Sequence, residues 1–146
     1  MEAWIWFDNV NQNQGMFQIG PGGGGPYINF YSPGASQQKM RWEVIGSTSN
    51  SYTTLLSNTN LTTAQWYHFV GTFDGASTTT LYVNGTQDIQ QTNMSNQPTS
   101  VNAQVTIGNY AGALDGRIGE VRFYNRDLSA TEISQNFNAT RAKYGV

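Results

Sequence analysis

Cysteine is absent from the 146-residue sequence, so a disulfide framework, a thiolate nucleophile and a thiolate zinc site are all excluded. Charged residues are also scarce: Asp, Glu, Lys and Arg together make up 11% of the chain, and the formal net charge is −2. A nucleic-acid surface needs clustered Lys and Arg, so nucleic acid is not expected as a partner. No apolar run approaches the roughly 18 residues of a membrane-spanning helix, and a membrane is not expected as a partner either.

Uncharged polar residues and aromatic residues are frequent in the chain, whereas charged residues are few. The chain has 8 Tyr and 4 Trp, a mixture that is typical both of β-sandwich cores and of sugar-binding surfaces. Aromatic and β-branched residues alternate with period 2 between short Gly, Asn, Asp and Pro segments, which predicts an all-β domain. The predicted strands cover residues 1–8, 15–20, 27–32, 39–46, 52–57, 66–73, 79–83, 103–109 and 116–125.

Two short motifs predict a more specific local structure than the strand pattern does. Asn84 and Gly85 fit a tight type I′ hairpin turn, in which both central residues take positive φ. The segment "LSATEISQNFNATRAKYG" predicts one C-terminal helix, with Ser129 as N-cap and Glu132 completing a capping box. Ile133 and Phe137, four residues apart in this helix, are expected to lie against the sandwich.

Several segments resemble the laminin-G-like, concanavalin-A-like jelly rolls. The order "WYHFVGTFDG", "LYVNG" and "LDGRIGEVRFYNRDLSATEI" is similar to the second half of such a domain, and "MEAWIWF" resembles a strand near its start. The resemblance implies an all-β, two-sheet antiparallel jelly-roll sandwich with one short C-terminal helix, formed as a single domain by residues 1–146. In this family one or two further strands normally precede the "EAW" strand, which implies that the domain lacks its first strand or strands, or is completed by something else.

Catalysis is not expected from this sequence. Glycoside hydrolases that use this kind of sandwich need two carboxylates, often at i and i+2 on one strand, and no E-x-D or D-x-E pair occurs here. His68 is the only histidine, and its place inside a predicted strand assigns it to the scaffold. Calcium sites in some relatives use loop carboxylates and amides, but no residue set here matches one; we therefore assign no metal ligand and no cofactor, and calcium stays open.

Ligand binding is predicted in loops 20–26, 32–38 and 109–116. Tyr110 is the favoured residue, because a large aromatic side chain in the loop "GNYAGALDG" is costly unless it is used. Asn109 and Asp115 flank it and could form hydrogen bonds with hydroxyl groups. The alternative for both is ordinary turn chemistry.

The resemblance favours a non-catalytic recognition or assembly domain of a phage or other virion structural protein, such as a capsid decoration, tail or fibre protein. Its partners would be other protein subunits of a larger assembly, and its location the virion. The alternative is an extracellular carbohydrate-binding module of an adhesin or a glycan-degrading enzyme, with a cell-surface glycan as partner. A glycosidase ranks third.

Overall fold

The computed structural model describes residues 1–21, 26–34, 37–46, 52–94, 104–109 and 112–146. Within these residues the chain forms ten strands and one helix. The strands are β1 (Glu2–Phe7), β2 (Asn13–Ile19), β3 (Tyr27–Pro33), β4 (Lys39–Ile45), β5 (Tyr52–Asn60), β6 (Trp66–Phe73), β7 (Thr79–Val83), β8 (Thr86–Gln91), β9 (Val105–Ile107) and β10 (Gly116–Arg122), and the helix is α1 (Ala130–Tyr144).

The strands form two five-stranded antiparallel sheets. Sheet A has the order β10-β1-β6-β7-β8, and sheet B has the order β5-β4-β3-β2-β9. The two-sheet antiparallel jelly roll with a C-terminal helix is therefore confirmed. Some predicted bounds were wrong: β5 runs on to Asn60, β9 is confined to Val105–Ile107, β10 ends at Arg122, and β8 had no separate prediction.

Side chains that alternate along the strands meet between the sheets. From β1, Ala3, Ile5 and Phe7 are buried there, as the alternation predicts. The largest fully buried side chains of this core include Phe17, Phe30, Trp42, Phe69 and Leu81. Burial of this apolar surface is the main driving force for folding, at about 25 cal/mol per Å².

The predicted turn is confirmed at the junction of β7 and β8. Asn84 has φ +50° and Gly85 has φ +77°. A Cβ atom at Gly85 would lie 2.9 Å from the Phe137 side chain of α1. The turn therefore needs glycine for two reasons, its backbone conformation and the close approach of the helix.

Helix α1 begins as predicted. The Ser129 side chain accepts a hydrogen bond from the backbone N–H of Glu132, and the Glu132 side chain accepts one from the backbone N–H of Ser129. The helix covers the outer face of sheet A, where Ile133 is fully buried. Trp4, on the opposite face of β1 from the core, is also buried because Tyr144 stacks on it at 4.3 Å between ring centroids.

The two sides of the sandwich differ. On one side β5 and β8 are joined, since the Asp88 carboxylate accepts hydrogen bonds from the backbone and hydroxyl of Thr59 at 3.0 and 2.6 Å. The side that carries β9 and β10 is more open: Val105, Ile107 and Phe123 are exposed by 48%, 54% and 45%. No helix of the described residues is long and apolar enough to cross a membrane.

Candidate functional site

The loop predicted to bind a ligand is only partly described. Asn109 and Asp115 are both exposed, and Asn109 forms an isolated bridge with Ala113. The backbone of Asp115 is engaged with its surroundings: its N–H donates to Gln14 Oε1 at 2.8 Å, and its carbonyl accepts from the N–H of Asp8 at 3.0 Å. Tyr110 lies outside the described residues, as do parts of the loops 20–26 and 32–38. The loop site thus stays a prediction.

His68 is a buried residue of the interior of sheet A, with no exposed surface. Its Nε2 lies 3.1 Å from Glu2 Oε1, and its ring packs beside those of Trp4 and Phe137, at 5.0 and 5.7 Å between ring centroids. This position lies under helix α1, where the side chain contributes to packing and hydrogen bonding.

Glu2 is the centre of a buried polar cluster that sequence reasoning missed. Its Oε1 accepts from Arg122 at 2.9 Å, and its Oε2 accepts from Tyr124 at 2.8 Å and from Asn136 of α1 at 2.9 Å. Burial acts to raise the pKa of Glu2, but the hydrogen bonds from His68, Tyr124 and Asn136 outweigh it and lower the pKa to about 2. The cluster joins the helix to sheet A, and we assign it to stability.

The outer face of sheet B carries a row of polar residues that crosses all five strands. Strand register places Thr106, Gln18, Asn29, Glu43 and Thr54 side by side, each on a different strand. They point away from the core, because the adjacent row consists of the buried Phe17, Phe30, Trp42 and Leu55. We call this set the polar row.

Glu43 is the only carboxylate of the polar row, and its orientation is fixed by its neighbours. Asn29 donates to its Oε2 at 3.1 Å, and Thr54 donates to its Oε1 at 3.3 Å. The Arg41 guanidinium lies 3.5 Å from Oε1 of the same carboxylate. Arg41 also lies over the ring of Tyr31, 5.4 Å from its centroid, so a half-exposed aromatic ring and a cation border the row.

Three polar atoms of this face are buried without a hydrogen-bond partner: Gln18 Oε1, Asn29 Oδ1 and Arg41 Nε. Unpartnered buried polar atoms are rare in folded proteins, since each costs about 1–3 kcal/mol. Two acceptors and one donor beneath the same sheet face thus have unused hydrogen-bonding capacity.

The sequence carried a signal for this face in the alternation of β3 and β4. The pairs Asn29/Tyr31 and Arg41/Glu43 lie at i and i+2, on the opposite side from Phe30 and Trp42. Within the described part of the chain, no group of three or more His, Cys, Asp or Glu residues could hold a metal ion. The outward-facing groups of this face are polar and aromatic.

A family model described as the concanavalin A-like lectin/glucanases superfamily matches residues 1–134 of the chain. No curated protein matches it. Among solved structures, domain 4 of AbnA, a GH43 extracellular arabinanase from Geobacillus stearothermophilus in complex with arabinotriose, is 19% identical with a TM-score of 0.74. That match covers 92% of this chain and 63% of the other.

Two further structures show the same fold. A protein from Bacteroides ovatus with a carbohydrate-binding description is 20% identical, with a TM-score of 0.68, and the match covers 92% of this chain and 39% of the other. A heptameric SAP-like pentraxin from Limulus polyphemus is 15% identical, with a TM-score of 0.68, covering 91% and 66%. The chain thus spans less than two thirds of the length of each of these three structures.

Proposed function

Because the chain belongs to the concanavalin A-like lectin/glucanases superfamily, we propose that it is a non-catalytic recognition domain that binds carbohydrate on the outer face of sheet B. The observation that carries the proposal is the polar row, in which a fixed carboxylate, two amides and two hydroxyl groups line up across the sheet next to the Tyr31–Arg41 pair. Sugar sites commonly combine a few fixed polar groups with an aromatic surface. The arrangement suits a neutral saccharide.

Each group has a role in this proposal. The Tyr31 ring provides an apolar surface for the C–H groups of a sugar ring, and the partly exposed Arg41 guanidinium offers a donor to its hydroxyl groups. Glu43 accepts hydrogen bonds in an orientation that its neighbours fix before the ligand arrives, which lowers the entropic cost of binding.

The carboxylate count supports binding without hydrolysis. Glycoside hydrolysis uses a pair of carboxyl groups, about 5–10 Å apart, on either side of the scissile bond. Glu43 is the only Asp or Glu in the five strands of sheet B. One carboxylate on this face can hold a sugar hydroxyl, but the second member of a catalytic pair is not provided by these strands.

Two of the similar structures add support. The arabinanase domain was solved with arabinotriose, and the Bacteroides ovatus protein has a carbohydrate-binding description. We extend this ligand class to the present chain, and with it an extracellular location. The loop with Asn109, Tyr110 and Asp115 stays a second proposal for the position of the site.

Binding to a glycan array, followed by calorimetry with arabinotriose and with the strongest array ligands, tests the proposal. Tyr31→Ala and Glu43→Gln are expected to weaken binding at least about tenfold, because each removes a principal contact. Asn109→Ala and Asp115→Asn test the loop position, and Asp8→Asn, which changes an exposed carboxylate of neither position, is the control that is expected to bind as the unchanged protein does. Loss of binding in the loop variants alone would move the site to residues 109–116, and no binding to any glycan would refute the proposal.

A second candidate function is assembly within a larger particle, including the phage or virion role that the sequence suggested. The observation that favours it is the exposed apolar side of the sandwich, formed by Val105, Ile107 and Phe123. Apolar side chains along a sheet edge favour association with another protein surface. Recognition and assembly use different parts of the domain and do not exclude each other.

A further inference from the structure

A polar groove of about 310 Å³ lies on the outer face of sheet A, away from the polar row. One of its walls is the segment that leads into helix α1, and another is the turn after β6. We call it the helix groove, and its lining includes Thr72, Asp74, Thr80, Tyr82, Gln90 and Asp127.

The floor of the helix groove is built by cross-strand pairing. Thr72 of β6 pairs with Thr80 of β7, which pairs with Gln90 of β8. Gln90 Nε2 donates to Thr80 Oγ1 at 3.0 Å, so the floor is a hydrogen-bonded row of hydroxyl and amide groups. The strand positions fix the places of these groups.

One wall is the turn after β6, which holds Asp74 rigidly. A single carboxylate oxygen, Oδ1, accepts the backbone N–H groups of Ala76, Ser77 and Thr78 at 2.8, 2.8 and 2.9 Å. Hydrogen bonds from the turn, the one from Thr78 first, keep the pKa of Asp74 below its usual value. The carboxylate is therefore ionised and can accept further hydrogen bonds.

Tyr82 provides the observation that points to a ligand. The residue is 7% exposed and lines the groove, yet its hydroxyl group makes no hydrogen bond with any described residue. Burial and the negative charge of Asp127 raise the pKa of Tyr82, so its hydroxyl group is a proton donor at neutral pH. The exposed Asp127, whose carboxylate accepts from no described residue, lines the same groove. A donor and an acceptor are thus both unused there.

The charges of the lining residues indicate which ligand charge the groove accepts. It contains two carboxylates and neither Lys nor Arg, so an anion is disfavoured. The described residues hold no group of three or more His, Cys, Asp or Glu that could bind a metal ion. The volume lies at the lower end of ligand pockets, which run from about 300 to 1,000 Å³. These constraints favour a small neutral molecule with several hydroxyl groups.

We propose that the helix groove is a second binding site that takes one neutral sugar unit. Tyr82 donates a hydrogen bond to one sugar oxygen, while Asp127 and Asp74 accept hydrogen bonds from its hydroxyl groups. The site is independent of the polar row, because the two lie on the outer faces of different sheets. A domain with two sites of this kind binds a branched or repeating glycan more tightly than either site alone.

The test is a titration of the isotope-labelled chain with L-arabinose, D-glucose and D-galactose, followed by amide NMR. Shifts are expected at Thr80, Tyr82 and Ser129 for at least one sugar. Tyr82→Phe and Asp127→Asn are expected to weaken this response about threefold to tenfold, the worth of one hydrogen bond. Asp8→Asn, which changes an exposed carboxylate that belongs to none of the proposed sites, is the matched control and keeps the full response.

The outcomes separate this site from the polar row. Tyr31→Ala is expected to remove shifts at Asn29 and Glu43 while it leaves those of the helix groove, so either site can fail alone. The proposal is overturned if no sugar shifts the groove amides, or if Tyr82→Phe, with an unchanged unfolding midpoint, binds like the unchanged protein. Shifts produced by calcium chloride without sugar would instead identify a cation site and would also overturn it.

Discussion

Replacing glycine in two turns separates backbone strain from helix packing. Gly85 and Gly75 have almost the same backbone φ, +77° and +76°. A Cβ atom at Gly85 would lie 2.9 Å from three atoms of Phe137, whereas a Cβ atom at Gly75 would have nothing within 4 Å. Gly75→Ala is therefore a matched control for Gly85→Ala, and any gain from reduced freedom of the unfolded chain is common to both.

The expected losses of stability differ by the packing contribution. An alanine in the left-handed region costs about 1–2 kcal/mol, which is the whole effect expected at Gly75. At Gly85 the new methyl group also displaces the Phe137 ring, and overpacking of this kind costs a further 1–3 kcal/mol or so. We expect a total of about 2–5 kcal/mol for Gly85→Ala, and more for Gly85→Val because a β-branched side chain is strained further at positive φ.

Urea unfolding followed by tryptophan fluorescence measures these differences. Trp4 is a suitable probe, since it stacks on Phe137 at 5.7 Å. Phe137→Ala combined with Gly85→Ala should recover part of the loss, while the same change combined with Gly75→Ala should be additive. Equal losses for the two glycine variants would show that helix α1 does not pack against this turn, and would refute the reasoning.

Four further predictions concern single residues or the whole chain. Ser129→Ala is expected to lower stability by about 0.5–2 kcal/mol through loss of the helix cap, and an unchanged urea midpoint would contradict this. His68→Gln is expected to retain any glycan binding, and a selective loss of binding at unchanged stability would assign His68 to function. The folded pKa of Glu2, about 2, lies below its ordinary value of 4.5. Its stabilisation is therefore complete above about pH 4.5 and is lost as the pH falls toward 2, and Glu2→Gln should flatten thermal stability against pH in this window. The isolated chain is expected to sediment as an oligomer that Ile107→Lys with Phe123→Lys converts to monomer, and a stable monomer before mutation would contradict it.

The parts of the fold that the sequence predicted depend on short-range signals. Asn84 and Gly85 are adjacent and need positive φ, and Ser129 and Glu132 cap one helix turn, so each signal is complete within four residues. Alternation in β1 likewise places Ile5 and Phe7 in the core. These elements agree with the structure because nothing distant has to be known to predict them.

The binding surfaces depend on register between strands that are far apart in sequence. Asn29 and Glu43 form a hydrogen bond only because β3 and β4 pair with this register. A shift by one residue would turn each side chain to the other face of the sheet. Alternation therefore identifies outward-facing pairs within a strand, but the polar row and the helix groove could not be assembled from the sequence.

The side that carries β9 shows how the same pattern leads to a different outcome. Val105 and Ile107 pair with Ile19 and Phe17, which places them on the inward face of sheet B. They are nevertheless about half exposed, because β9 is the edge strand of its sheet and the described residues of sheet A do not cover it. Inward-facing apolar residues that stay exposed can lose this surface only by contact with another segment or chain, at about 25 cal/mol per Å² buried. The exposed apolar side of the sandwich thus gives the predicted association a physical cause that is separate from both proposed sugar sites. The lysine variants at Ile107 and Phe123 test this cause without altering either site.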